Sequence, residues 1–387
     1  MRIAIVGGGA VGSAVAYWLR RLSERTDVVV VERDPSYRHA SSALSAGSIR
    51  QQFTTPVNIA ASRFGVDFLR RAREHLEVDG DVPALGFTEG GYLLLAGEGG
   101  AERLARNVAL QQRHGAHVAW LDRAALRRRF PWLSLEGIGA GALGLRGEGW
   151  FDGYALLRGL RRKAAALGAR FLAEEVVGAE RAGRRVTALR LRSGARLEAD
   201  AFVNAAGPWA SKVAALFGVV LPVEARRRLV FAFTCPDPPR PAPLVVDPSG
   251  LWFRPEGPGF IAGLPPRPEE DRPDLPLEVD HTLFEERLWP LLAARVPAFE
   301  RLRVTGAWAG YYAYNTFDAN ALLGPHPELD NVLFANGFSG HGLQQAPAVG
   351  LGIAELLLFG RYRTLDLSPL ALERVYNGTA LREENVI

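Results

Sequence analysis

The run Arg2-Ile3-Ala4-Ile5-Val6-Gly7-Gly8-Gly9-Ala10-Val11-Gly12, followed by Asp27-Val28-Val29-Val30-Val31-Glu32, decides the fold. Ile3 to Val6 is an unbroken apolar stretch, as expected of a parallel strand buried on both faces, and Ala10 to Leu22 has the length and apolar content of the helix behind it. Between them Gly7 permits a tight turn, Gly9 lets the backbone approach a pyrophosphate, and Gly12 lets helix and strand pack closely. The first turn of such a helix offers free N–H groups and a partial positive charge to an anion. Glu32 ends the second apolar run twenty residues beyond Gly12, where a carboxylate can accept both ribose hydroxyls of an adenosine. Glycine turns alone are common. Strand, spaced glycines, helix, second strand and terminal acid together read as a dinucleotide-binding unit. Glu32 argues against a 2′-phosphate, and Arg33 beside it weakens that argument slightly.

With 387 residues the chain exceeds one simple core, and two domains are expected. Its 48% hydrophobic content is that of a globular protein. The formal charge of +4 is small for this length, and Lys163 and Lys212 are the only lysines. Arginines are scattered, with short clusters at 127–129, read as a solvated face, and at 226–228. No basic stripe alternates with aromatics, so no nucleic-acid partner is expected. Cys235 is the only cysteine, which excludes a disulfide framework and a CxxC metal site and fits a reducing, cytoplasmic compartment. The seven histidines lack HxxxH or HExxH spacing, so no metal is expected. A strand beginning at residue 3 leaves no signal peptide to expect, and no uncharged stretch reaches the length of a membrane span.

Further along, residues 57–76, 101–115, 122–130 and 154–168 carry helical spacing. Asp122 is a plausible N-cap. Strands 175–181, 185–192 and 196–201, separated by Ala182-Gly183 and Ser193-Gly194, read as a three-stranded meander. Ala201 to Gly207 is an apolar strand ending in small residues. From 222 to 300 prolines and alternating strands signal a separate β-rich region. A final strand, 331–336, precedes a glycine-rich turn and a helix from about Ala346 to Leu358. The fold class is therefore α/β: a discontinuous Rossmann-like nucleotide-binding domain from 1–85, 140–222 and 305–387, with a β-rich α+β substrate domain from 86–139 and 223–304.

The Gly7-to-Glu32 unit, Ala40-Ser41-Ser42 with Gly47 to Phe53, Asn204 to Trp209, Arg254-Pro255-Glu256, Trp308 to Gly324, and Gly337-Phe338-Ser339-Gly340-His341-Gly342 resemble the FAD-dependent amine and amino-acid oxidoreductases of the D-amino acid oxidase superfamily. The likeness covers nearly the whole chain. It is nearest to sarcosine oxidase-like proteins, β subunits of amino-acid dehydrogenase complexes, and mitochondrial FAD-dependent oxidoreductase domain-containing proteins, which the tail from Tyr376 to Ile387 also resembles. The resemblance implies FAD. Gly7, Gly9 and Gly12 would hold the pyrophosphate, Glu32 with Arg33 the adenosine end, Ser41 and Ser42 phosphate or ribityl oxygens, and Val177 the adenine. Gly207 would close over the dinucleotide. Gly337, Ser339, Gly340, His341, Gly342 and Leu343 would follow the pyrimidine edge of the flavin, where backbone N–H groups stabilise the charge that grows on reduction.

By the same resemblance Arg50 would grip a substrate carboxylate at the flavin face, the alternative being a surface arginine on a loop. His341 would hydrogen-bond flavin or substrate, against an ordinary loop histidine. Tyr311 and Tyr314 would line the pocket, against plain aromatic core. Position 311 is tyrosine where sarcosine oxidases carry a flavin-linking cysteine nearby, so the FAD is expected to be non-covalent. Gln344 replaces their second substrate-binding lysine, and no lysine follows residue 222 to activate oxygen. The activity implied is oxidation of the C–N bond of an amino acid or N-methyl amino acid (sarcosine, dimethylglycine, proline or similar) by hydride transfer to flavin N5, in a dehydrogenase sooner than an oxidase. The implied partners are an electron-acceptor protein or partner subunit. The alternatives are an NAD-dependent dehydrogenase, and an FAD-binding assembly or scaffold protein or complex subunit without independent turnover.

Overall fold

The valine run 28–31 and the apolar residues Ile3 to Val6 form neighbouring parallel strands, Arg2–Val6 and Asp27–Glu32, buried on both faces. A computed structural model describes residues 1–384; residues 385–387 of the tail singled out above lie outside the described residues. These two strands are the fourth and fifth of a six-stranded sheet in the order Leu322–Pro325, Val332–Asn336, Ala201–Asn204, Arg2–Val6, Asp27–Glu32, Arg170–Ala173. All neighbours are parallel except Leu322–Pro325, which runs antiparallel at one edge. Helices Ala10–Leu22, Gly153–Ala166 and Gly342–Phe359 cover one face, meeting Ile3, Ile5, Val28, Val30 and Val203. The meander and helix Ala210–Leu216 cover the other, meeting Ala4, Val6, Phe202 and Phe334.

A second, eight-stranded sheet has the order Arg303–Asn315, Val223–Thr234, Gly259–Gly263, Trp252–Glu256, Leu244–Val246, Tyr92–Gly97, Ile138–Arg146, His117–Asp122. One of its faces carries an interlocked aromatic core in which the Phe299 ring lies 5.0–5.3 Å from those of Phe233, Phe253 and Phe260.

The strand pairing corrects the expected boundaries. Strands Ile138–Arg146 and Arg303–Asn315 run in the second sheet, although 140 and 305 were the expected starts of nucleotide-binding segments. Composition changes at these points, but backbone hydrogen bonding does not: Arg303–Asn315 pairs along the whole length of Val223–Thr234. The third meander strand stops at Glu198, and Ala201 opens a strand of the six-stranded sheet. The helical stretch 57–76 is two helices, Pro56–Arg70 and Ala72–Leu76. The last helix starts at Gly342, not Ala346, and its 18 residues, with a mean hydropathy of 1.3, reach the length and apolarity of a membrane span by composition alone. Every residue from Leu343 to Glu355 is nevertheless buried, with Trp18 Nε1 donating to the Pro347 carbonyl at 2.8 Å.

Candidate active site

The turn after the first strand is held by Glu32. Its Oε2 accepts from the Gly8 N–H and its Oε1 from the Asp34 N–H, both at 2.8 Å. The three glycines differ in what a side chain would meet. Gly7 has a φ of +99°, and a Cβ there would meet the Ala205 carbonyl at 2.5 Å. At Gly12 a Cβ would lie 1.9 Å from the Gly7 carbonyl oxygen, so this glycine serves helix–strand packing. At Gly9 a Cβ would meet only Ser42 Oγ, at 3.7 Å. Ser42 Oγ accepts from the Ala10 N–H at the helix N-terminus, and Ser41 Oγ donates to the Tyr311 carbonyl at 2.6 Å.

These groups open onto a cavity of about 780 Å³ that lies past the carboxyl ends of the parallel strands and reaches one face of the second sheet. Gly7, Gly9, Glu32, Arg33, Ser41 and Ser42 line one part. Val177 and Gly207 line it from the meander and from the turn after Ala201–Asn204. Tyr311, Gly340, Gly342 and Leu343 line it from the second sheet and the late glycine turn. Arg33 lies with its Cζ 3.9 Å from the centre of the Trp209 ring, which meets Tyr311 edge-on.

Gly12, Gly337, Ser339, Arg50 and His341 stand outside this lining. Ser339 Oγ accepts from the Asn315 N–H at 2.9 Å, which fixes the late turn to the long strand. Arg50 is 3% exposed and buried beside the cavity, near enough to the lining residue Tyr312 for its charge to act on that hydroxyl. Its Nη1 donates to the Gln52 carbonyl, its Nη2 lies 3.1 Å from His341 Nε2, and its Cζ sits 4.1 Å from the centre of the Phe53 ring. A buried guanidinium takes partners where the fold supplies them. Burial, and then the Arg50 charge, push the His341 pKa down to about 3, so the ring is neutral and its Nε2 accepts from Arg50. The pair joins two loops, one of them the turn whose Gly340 and Gly342 line the cavity.

Sequence reasoning missed several lining groups. Tyr312 is half-buried beside the late turn, so close that a Cβ on Gly340 would come within 2.7 Å of its ring. Burial raises its pKa, against the charges of Arg228 and Arg50. Arg228, Trp252, Trp209 and Lys212 also line the cavity, whereas Tyr314 does not. Strand alternation is the signal that could have found Arg228: Leu229 and Phe231 enter the aromatic core, so Arg228 and Val230 face away from it. Glu148, 1% exposed, lies behind the wall and accepts from the Gln51 and Gln52 N–H groups.

The residues present fit a flavin dinucleotide. The Gly9 cradle is one a side chain would fill, the helix N-terminus borders it, Glu32 lines the same cavity, and Gly207, at a φ of +54°, has nothing within 4 Å of where a Cβ would stand. Cys235, the only cysteine, packs against the aromatic core and is absent from the cavity lining, so no cysteine stands ready for a thioether there.

Fold and site together define an FAD-dependent oxidoreductase. The chain belongs to the family described as FAD dependent oxidoreductase, DAO, whose profile matches residues 2–356. It is 44% identical to FAD-dependent oxidoreductase domain-containing protein 1 of Bos taurus, over 100% of this chain and 87% of that one. It is 28% identical to the glycine oxidase of Geobacillus kaustophilus, over 96% of each. Among solved structures, L-proline dehydrogenase from P. horikoshii superposes with a TM-score of 0.87 at 24% identity, covering 98% of this chain and 99% of that one.

Proposed function

We propose that this chain oxidises the C–N bond of an amino acid or N-methyl amino acid, such as sarcosine, dimethylglycine or proline. The observation that carries the reading is that one cavity is shared by both halves of the site. The glycine turn that suits a dinucleotide opens into the same space as Tyr312, Trp252 and Arg228 of the second sheet. A nucleotide laid along the first part brings its far end to that face. The relation to a glycine oxidase supports an amine substrate.

FAD, when bound, supplies the hydride acceptor. The chain's own residues supply placement. Glu32 and the Gly7–Ala10 turn anchor the adenosine and phosphates, while the late turn 337–342 is fastened to the long strand through Ser339 and Tyr312. Trp252 and Tyr312 set aromatic rings against the same part of the cavity that Arg228 lines. Holding the reacting C–H bond in line accounts for most of the rate in such a site. No lysine belongs to the second sheet; Lys212, from the nucleotide-binding half, is paired with Asp274 at 3.2 Å. This favours a dehydrogenase that passes electrons to an acceptor protein or partner subunit.

An anaerobic titration of the FAD-loaded chain with glycine, sarcosine, dimethylglycine and proline tests the reading. Loss of the oxidised flavin absorbance with at least one amine supports it. A flavin that stays oxidised throughout the panel overturns it in favour of an assembly or scaffold role. Reoxidation that is slow in air and fast with an artificial acceptor supports the dehydrogenase assignment.

A further inference from the structure

After Gly263 the chain leaves the second sheet, and residues 264–280 run as a strap without regular structure to the short helix His281–Leu283. Leu264 and Pro265 line the cavity, so the strap begins on its wall. Mostly side chains hold it down. Tyr311 OH donates to the Leu275 carbonyl at 2.6 Å, and Arg227 Nη1 donates to the Pro276 and Glu278 carbonyls at 3.0 Å. Lys212 reaches Asp274 from the nucleotide-binding half.

The most enclosed anchor is Asp271. Its two oxygens accept from Arg228 Nη1 and Nη2 at 2.8 and 3.1 Å, and Arg226 Nη1 lies 3.7 Å from Oδ2. The side chains of Arg226, Arg228 and Asp271 are only 17–19% exposed. Arg228 itself lines the cavity, its guanidinium 5.2 Å from the centre of the Tyr312 ring. The two-pronged pairing is the one that a guanidinium offers to any carboxylate. Arg226 and Arg228 are balanced by Glu224 and Asp271. A carboxylate from outside that replaced Asp271 would keep this balance. A neutral molecule would leave a partly desolvated guanidinium short of a partner.

We propose that Asp271 is an internal occupant of a carboxylate site made by Arg228 and Arg226, and that a carboxylate-bearing ligand displaces it and releases the strap over residues 264–280. The identity of that ligand as the oxidised amino acid rests on the proposed function; the displacement does not. An occupant tethered in the chain competes at high local concentration. Apparent affinity for the incoming carboxylate is lowered by the fraction of time that the fork is free.

The test uses the FAD-loaded full chain with propionate, which carries a carboxylate and no oxidisable amine, and propionamide as its neutral counterpart. Binding is read from the perturbed flavin spectrum, and strap release from hydrogen exchange at the Asp274 amide, which donates to the Ala225 carbonyl at 2.9 Å. Asp271→Asn is expected to bind propionate about fivefold or more tightly than the parent chain, with strap exchange already fast. Arg228→Gln is expected to lose propionate binding by about tenfold or more. Propionamide is expected to respond to neither change. Unchanged or weaker propionate binding in Asp271→Asn overturns the proposal, and so does equal response to propionate and propionamide. If Arg228→Gln fails to hold FAD, Arg228→Lys and Asp271→Asn decide the matter. A panel of amines that leaves the flavin oxidised, with these propionate results intact, would remove the proposed reaction and leave the displaced aspartate standing.

Discussion

Arg50 Nη2 and His341 Nε2 lie 3.1 Å apart although 291 residues separate them in the chain. The contact joins the loop after the first βαβ unit to the turn that opens the last helix, and both side chains are buried. Removing the guanidinium leaves the Gln52 carbonyl and the neutral imidazole without this donor, a defect that costs roughly 2–4 kcal/mol in a buried setting. Arg50→Ala is therefore expected to lower the melting temperature and the flavin retained on purification, more than it raises KM. Thermal unfolding and flavin content decide this. Raised KM at full stability and full flavin content would return Arg50 to direct substrate contact.

Glu148 makes stability depend on pH. Burial raises its pKa from 4.5 to about 7, against hydrogen bonds from Gln52 and Gln51 and the Arg50 charge. Between these values the folded chain holds a proton that the unfolded chain has released. Its stabilising contribution is thus full below the unfolded value and is lost as pH rises through about 7. The whole change amounts to roughly 3 kcal/mol. Glu148→Gln, which keeps the size and cannot ionise, is expected to lose less stability than the parent between about pH 5 and pH 8. Urea unfolding across that range measures it, and parallel curves for the two proteins would count against the assignment.

The three glycines of the first turn are expected to fail in different ways. Gly12→Ala drives a Cβ to 1.9 Å from the Gly7 carbonyl oxygen and should destabilise the chain with or without FAD. Gly9→Ala meets nothing closer than 3.7 Å and should fold normally. What it fills is the space that the pyrophosphate would approach, so its FAD affinity should drop by about tenfold or more. Paired measurements of apoprotein melting and FAD titration separate the two. Equal melting losses in both variants would contradict this division of roles.

The first βαβ unit was legible because its information is local. Helix Ala10–Leu22 and the strand ending at Glu32 begin and end where the residues imply, and Asp122 caps its helix by accepting from the Ala125 N–H at 2.6 Å. The sheet boundaries were not, because membership of 303–315 depends on a partner strand about eighty residues away, and nothing in its own composition names that partner. The site divides in the same manner. Gly9 and Glu32 are placed on the cavity by spacing along the chain. Arg50 and His341 were picked out by type and motif, yet only the packing of distant loops turns them toward each other. Arg228 was hidden in a cluster of three arginines, where alternation alone sends Arg226 and Arg228 to one face and Arg227 to the other.

Gly340 and Tyr312 give the sharpest steric test of the late turn. Gly340 has a φ of +97°, and a Cβ there would lie 2.7 Å from Tyr312 Cε2 and 2.9 Å from Cζ. Gly340→Ala therefore meets two penalties: a backbone angle that side chains disfavour, about 1–3 kcal/mol, and a clash with the half-buried Tyr312 ring. Tyr312→Ala relieves the second and not the first. The double variant is thus expected to be more stable than the sum of the single changes by about 1 kcal/mol or more, as residues in direct contact usually are. Chemical unfolding of the four proteins measures that coupling. Strict additivity would mean that the ring and the turn do not touch, and that the late glycine turn reaches the cavity without support from the second sheet.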